Sequence, residues 1–195
     1  MIILIAVVLG LAAGRIRSQW GKRRYQTLNL KLEWLVIVAV IPQLIAFQLP
    51  GSGPMISDTW ARVILVGSQA LLILFAWVNR QQPGFWALGA GLGLNFLVIV
   101  LNGGFMPISP DTILHLVPNA GADFFQIGHR LGDSKDIVLT VEQTRLWWLS
   151  DRLSLPEWLP YKVAFSMGDL VVAFGAFLLL WSLGGPSLPQ KESES

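Results

Sequence analysis

The chain has 195 residues, of which 53% are hydrophobic and only 13% charged, with a formal net charge of +2. So low a charged fraction, against ~25% in soluble domains, excludes an ordinary water-soluble globule, and the length leaves room for one bundle. With no cysteine, a disulfide framework, a thiolate nucleophile and a Cys-ligated metal are excluded as well.

Five apolar stretches punctuate the sequence, at about 1–14, 30–49, 60–78, 85–101 and 163–183. A bilayer's hydrocarbon core is about 30 Å thick and takes ~20 helical residues to cross. The pattern predicts an all-α membrane protein: a bundle of five transmembrane helices, residues 1–183, with a flexible cytoplasmic tail at 184–195. The first stretch has no basic residue before its apolar run and several after it, the reverse of a secretory signal, so it is read as an uncleaved short span. Arg15, Arg17, Lys22, Arg23, Arg24 and Lys31 follow in one link. Beside a membrane span such a cluster is a topology signal rather than a nucleic-acid patch. It puts the N-terminus outside and the C-terminus inside, with Arg80 and Lys191 also inside.

Pro42 is expected to break the second span near its middle. Gly67, Ser68 and Gln69 give the third a small polar spot suited to close helix contact. The fourth carries Gly89, Gly91 and Gly93, read as helix-packing glycines rather than a nucleotide loop, since no strand precedes them. Gly91, Asn95 and Asn102 share one helical face, which points the amides into the bundle. Trp20, Trp34, Trp60, Trp77, Trp86 and Trp158 lie near span ends, where indole rings favour the headgroup level.

After the fourth span, Asn102-Gly103-Gly104-Phe105-Met106-Pro107 ends the helix and sets an extended exit. An outer segment, 103–160, is then expected to hold two or three short helices. One is capped by Ser109, starts at Pro110 and stops at Pro118. Another is signalled by the capping-box pattern Thr140-Val141-Glu142-Gln143 and runs to about Leu153. His115 and His129 with Asp111 and Asp123 match no tight metal spacing, so no metal and no cofactor are expected.

The last span encloses a lone carboxylate, Asp169, ~9 Å in from Val163 at helical rise. Buried charge in a membrane rarely lacks a partner or a role. Ser166 and Asp169 share a face, with Gly168 beside them. The expected site joins Asn102 and its turn to His115, His129, Arg130, Asp151, Arg152 and Asp169 at the outer face. Three uses of the aspartate compete: a structural acceptor that pins the outer segment to the bundle, a binding group for lipid or solute, and a catalyst. The first has most support. Ser166-Met167-Gly168-Asp169 does resemble the Gly-x-Gly-Asp of intramembrane aspartyl proteases, but that chemistry needs two carboxylates sharing a proton. No other span has an aspartate.

The order of several motifs resembles a family of bacterial membrane proteins known as domain of unknown function 5317. These are Asn102, Gly103, Gly104, Met106 and Pro107; a later histidine, best matched by His129; Thr144, Leu146, Leu149 and Asp151; and Ser166, Gly168 and Asp169. The likeness spans nearly the whole chain. Phe105 departs from it, standing where a polar or basic residue is expected. The resemblance implies a bacterial inner-membrane location and singles out the same outer-face cluster, but carries no activity.

The expected function is therefore non-enzymatic: an assembly subunit, with a protein partner or a second copy, or a binder of lipid or small solute through the Asp169 and Asn102 site. The alternative is a membrane-embedded enzyme using Asp169, or a dimeric small-solute transporter. Nucleic acid is not an expected partner.

Overall fold

The computed structural model describes residues 2–49, 56–121, 123–156, 159 and 161–186. Trp158, Lys191, most of the link after the second apolar stretch and most of the C-terminal tail lie outside them. The described residues are mostly helical, with six α-helices: α1 (Ile2–Trp20), α2 (Trp34–Phe47), α3 (Asp58–Val78), α4 (Phe85–Leu101), α5 (Pro110–Leu116) and α6 (Met167–Ser182). Two of them, α1 and α3, are long and apolar enough to cross a membrane. The remaining apolar helices, α2, α4 and α6, are shorter, at 14, 17 and 16 residues.

Several features differ from those read in the sequence, and α2 begins at Trp34 rather than near 30. Helix α1 extends through Arg15 and Arg17 to Trp20, because nothing in 15–20 breaks a helix and the arginine stems tolerate one. Pro42 lies inside α2 without breaking it. The last helix starts at Met167, four residues later than expected, because Ala164–Phe165 forms β4, paired antiparallel with β3 (Leu153–Ser154).

The five long helices pack in the row α2–α3–α4–α6–α1. Glycine sets the two closest crossings. Gly84 and Gly91 of the α4 strip meet Gly175 and Gly168 of α6, so these helices run antiparallel. A Cβ on Gly91 would stand 2.6 Å from the Gly168 carbonyl oxygen, and one on Gly175 would stand 2.6 Å from the Leu88 nitrogen. On the other side of α6, Gly10 faces Phe177 and Gly14 faces Leu180, so α1 runs parallel to it. Of the other α4 glycines, Gly89 makes only ordinary contact with Ala76 and Gly93 faces open space.

These directions gather the basic link at one end of the row. Asn79, buried at the C-cap of α3, closes a two-way bond with the Lys31 backbone, 2.8 and 2.9 Å. Tyr25 donates to the Leu180 carbonyl and Gln26 to that of Gly185, each at 2.8 Å. Arg17 stacks over Trp181, 4.0 Å from the ring centre.

The opposite end carries the described residues between 102 and 166, folded as a cap. The cap mixes strand with helix, unlike the helices expected there. Its centre is β1 (Met106–Ile108), paired parallel with β2 (Asp136–Val138) and bridged on its other side to Asp151. Ile108, Ile113 and Val138 form its own small core, while Phe105, Met106 and Leu149 join Ala61, Leu65, Val98 and Ile99 in a core shared with α3 and α4. The first expected short helix is present as α5, with Ser109 accepting from the Thr112 amide. The second is not. The Thr140 turn forms, its amide donating to Gln143 Oε1 at 3.3 Å, but only a 3-10 turn at Trp147–Leu149 follows. Asn102 takes both backbone groups of Arg145, and Leu146 turns left-handed with φ 54°, so the helix cannot propagate.

Candidate functional site

The chemistry-bearing residues meet where the cap rests on α4 and α6. Ser166 is the N-cap of α6 and is fully buried. Its hydroxyl accepts from the Asp169 amide at 3.0 Å, and Asp169 Oδ2 accepts from the Ser166 amide at 3.1 Å, a reciprocal capping box. Asn95 completes the triad. Its Nδ2 donates to Asp169 Oδ1 at 2.8 Å, and its Oδ1 accepts from the Ser166 hydroxyl at 2.7 Å. Gly168 makes this possible: a Cβ there would fall within 2.1 Å of Asn95 Oδ1.

Asp169 therefore sits in the first turn of its helix, not a third of the way down a span. There the free amides and the positive end of the helix dipole favour a carboxylate. Both its oxygens are engaged.

A second layer comes from the cap. Lys135 Nζ donates to Asp151 Oδ2 at 2.5 Å and to Asp136 Oδ1 at 3.1 Å. Asp151 is 2% exposed, and its amide donates to the Pro107 carbonyl at 3.1 Å. Its Oδ1 is buried with no hydrogen-bond partner among the described residues. Burial pushes the Asp151 carboxyl up to about 7; Lys135 opposes the shift, while the charges of Asp136 and Asp169 add to it. For Lys135 burial acts the other way, but the fields of Asp136, Asp151 and Asp169 outweigh it and hold the ammonium well above its ordinary range. One cation thus balances three carboxylates.

The remaining expected site residues divide. Met106 and Pro107 lie in β1 and frame Lys135 and Asp151 through their backbone, the Met106 amide donating to the Lys135 carbonyl at 3.0 Å. Asn102 stands apart from Asp169 in its bonds. It holds Arg145 by donating to its carbonyl and accepting from its amide, both at 2.9 Å. Gly103 and Gly104 both take positive φ, 81° and 92°, to turn the chain off α4. His129 is exposed, its ring nitrogen reaching only the Ile127 carbonyl at 3.3 Å. Its neighbour Arg130 does more: buried, it lies over Phe47 and Phe105 and reaches Asp58 at 3.9 Å. Phe105 meets a second guanidinium, that of Arg62, at 5.1 Å. No cluster of three metal-ligating side chains occurs among the described residues.

Asn95, Lys135 and Asp136 complete a cluster that the site residues alone leave unfinished. A lone amide inside an otherwise apolar helix was the available signal for Asn95, since a buried amide demands a partner. Lys135 and Asp136 give no signal in a polar loop.

A row of apolar helices, two of them long and apolar enough to cross a membrane, lies under a cap latched by buried charge and defines a mostly helical protein. The chain belongs to a family of unknown function (DUF5317), which it matches over residues 27–181. An uncharacterized protein of Thermotoga maritima is 28% identical over 179 residues, covering 91% of this chain and 86% of its own. No solved structure matches.

Proposed function

We propose that this is a five-span protein of the bacterial inner membrane, N-terminus outside and C-terminus cytoplasmic, whose cap binds a lipid or small solute without chemistry of its own. The five-span reading rests on charge and exposure. Arg15, Arg17, Lys22, Arg23, Arg24, Lys31 and Arg80 share the end of the row opposite the cap, with Glu33 as their one acidic companion there among the described residues. That asymmetry fits the positive-inside rule. Large apolar side chains stand exposed along every long helix, among them Leu4, Val8, Ile37, Leu44, Val63, Leu97 and Phe174. Exposure on this scale is foreign to a soluble monomer. The shorter helices suit a bundle whose cap end is partly water-facing, with the local bilayer thinned to match.

The observation that carries the binding reading is how the polar cluster is occupied. Both oxygens of Asp169 serve the capping box and Asn95, and Lys135 is held by Asp151 and Asp136. A catalytic carboxylate needs a free oxygen facing substrate. The arrangement supports a latch, and function then falls to the clefts of the cap. The larger, about 500 Å³, is lined by His115, Tyr161 and Lys162 among leucines and prolines, a volume within the ~300–1,000 Å³ usual for small-molecule sites.

The assembly-subunit reading keeps one support: the row ends in two uncovered flanks, α1 and α2, on which a partner or a second copy has room to pack.

Native mass spectrometry of gently extracted wild type and Asp169→Asn tests both. A lipid or solute retained by the wild type is the expected result. A protein partner in both forms, with no small ligand, would replace it with the subunit role. Bare monomer in both would remove both readings.

A further inference from the structure

A second cleft of the cap carries a more specific chemistry. It holds about 200 Å³ between the start of α5 and the 140–152 turn, and Ser109, Thr112, Thr144, Trp147, Ser150 and Arg152 line it. The Arg152 guanidinium lies over the Trp147 ring, 4.3 Å from its centre. Arg152 forms no ion pair among the described residues. It is a planar cation held in place by stacking, with its donor fork left for a guest.

The hydroxyls sort by what they have left to offer. Thr144 spends its proton on the Thr140 carbonyl at 2.8 Å, and Ser150 spends its proton on the Trp147 carbonyl at 2.5 Å. Both therefore face the cleft as acceptors. Ser109 and Thr112 share one proton across 2.9 Å, which leaves the other proton of the pair free to donate. A guest that satisfies this set brings anionic oxygens for Arg152 and the free hydroxyl, and hydroxyl protons for Thr144 and Ser150. Inorganic phosphate supplies the anionic oxygens, but its protons ride on the same small tetrahedron, whereas a polyol phosphate carries its hydroxyl donors on a separate chain.

We propose that this cleft binds a phosphorylated polyol of glycerol-phosphate size, its phosphate on Arg152 and its hydroxyls on Thr144 and Ser150. The cavity is below the ~300 Å³ at which drug-sized pockets begin, which suits a headgroup or a free polyol phosphate rather than an acyl chain. This rests on the reading of the cap as a binding element and names the ligand for one of its clefts.

The test uses the full chain in phosphatidylcholine nanodiscs, titrated calorimetrically with glycerol phosphate and with inorganic phosphate. A second arm replaces part of the lipid with phosphatidylglycerol and counts retained lipid by native mass spectrometry. Saturable binding in the first arm identifies a free polyol phosphate, and selective retention in the second identifies a lipid headgroup. In whichever arm binds, Arg152→Gln lowers affinity at least tenfold and Arg152→Lys lowers it less, while Arg80→Gln at the opposite end leaves it unchanged. Thr144→Val reduces the preference for glycerol phosphate over inorganic phosphate. Melting curves confirm that each variant is folded. Equal losses in Arg152→Gln and Arg80→Gln, equal affinity for the two phosphates, or no binding in either arm would overturn the proposal. If neither arm binds but gently extracted protein still carries another ligand, the cap remains a binding element and only this assignment falls.

Discussion

Asp151 is the residue under most tension. Its carboxyl is enclosed, one oxygen on Lys135 and the other on nothing among the described residues. With its pKa pushed up to about 7 by burial, the folded state holds the Asp151 proton more tightly than the unfolded chain, where a carboxyl titrates near ~3.9. The stability this contributes is complete below about pH 4 and is lost as pH rises through about 7. Wild type in detergent should lose melting temperature relative to Asp151→Asn over that window. Parallel profiles for the two proteins would contradict it. Lys135→Met should cost on the order of 3 kcal/mol by leaving Asp151 unpaired, somewhat less because Lys135 keeps partial contact with solvent. The double variant Lys135→Met, Asp151→Asn should recover most of that loss, a non-additivity that a double-mutant cycle reads directly. Asp169→Asn sacrifices one of the two bonds the carboxylate accepts, from the Ser166 amide of the capping box or from Asn95, and should cost about 1–2 kcal/mol. An unchanged melt would show that the capping box contributes little.

The α4–α6 crossing shows how glycine position, not glycine count, sets helix packing. Gly91 and Gly93 are two residues apart on one helix. Alanine at 91 would drive a methyl into the Gly168 carbonyl, backbone that has nowhere to go. Alanine at 93 would meet nothing within 4 Å. Gly91→Ala should therefore destabilise by about 1–3 kcal/mol, the usual range for overpacking. Gly93→Ala should be neutral or stabilising by up to ~1 kcal/mol through helix propensity. Comparable melts for the two would mean the helices separate freely, against the geometry of the crossing. Asn102 acts at the next junction. Its side chain occupies the Arg145 amide and carbonyl, and Asn102→Ala should cost about 2 kcal/mol and speed proteolysis within 140–150. Unchanged cleavage there would show that the 3-10 turn holds itself.

For the whole molecule, the separation of charge between the two ends of the row is the feature on which the proposed orientation rests. The natural absence of cysteine makes the orientation directly measurable. In intact cells, Lys22→Cys should resist a membrane-impermeant thiol reagent and Asp123→Cys should react. The opposite pattern would invert the topology and move the cap to the cytoplasm.

The helical class, the family, the basic cluster between α1 and α2, the start of α5 at Ser109–Pro110 and the grouping of Ser166, Gly168 and Asp169 were all legible from the residues alone. Each of these is local: periodic apolar residues, a cap spacing or a charge run within a few positions. Which amide meets Asp169 was settled by the packing of α4 on α6. Asn95 and Asn102 lie on the same helical stripe, and one helix cannot say which of them faces α6. Nor could the sequence place Lys135 against Asp151, because a parallel pairing across some 30 residues is fixed by the shared core of Ile108, Ile113 and Val138 rather than by any short motif. The Thr140 helix failed for the same reason: its capping pattern favours a helix locally, and a distant asparagine took the backbone groups needed to extend it.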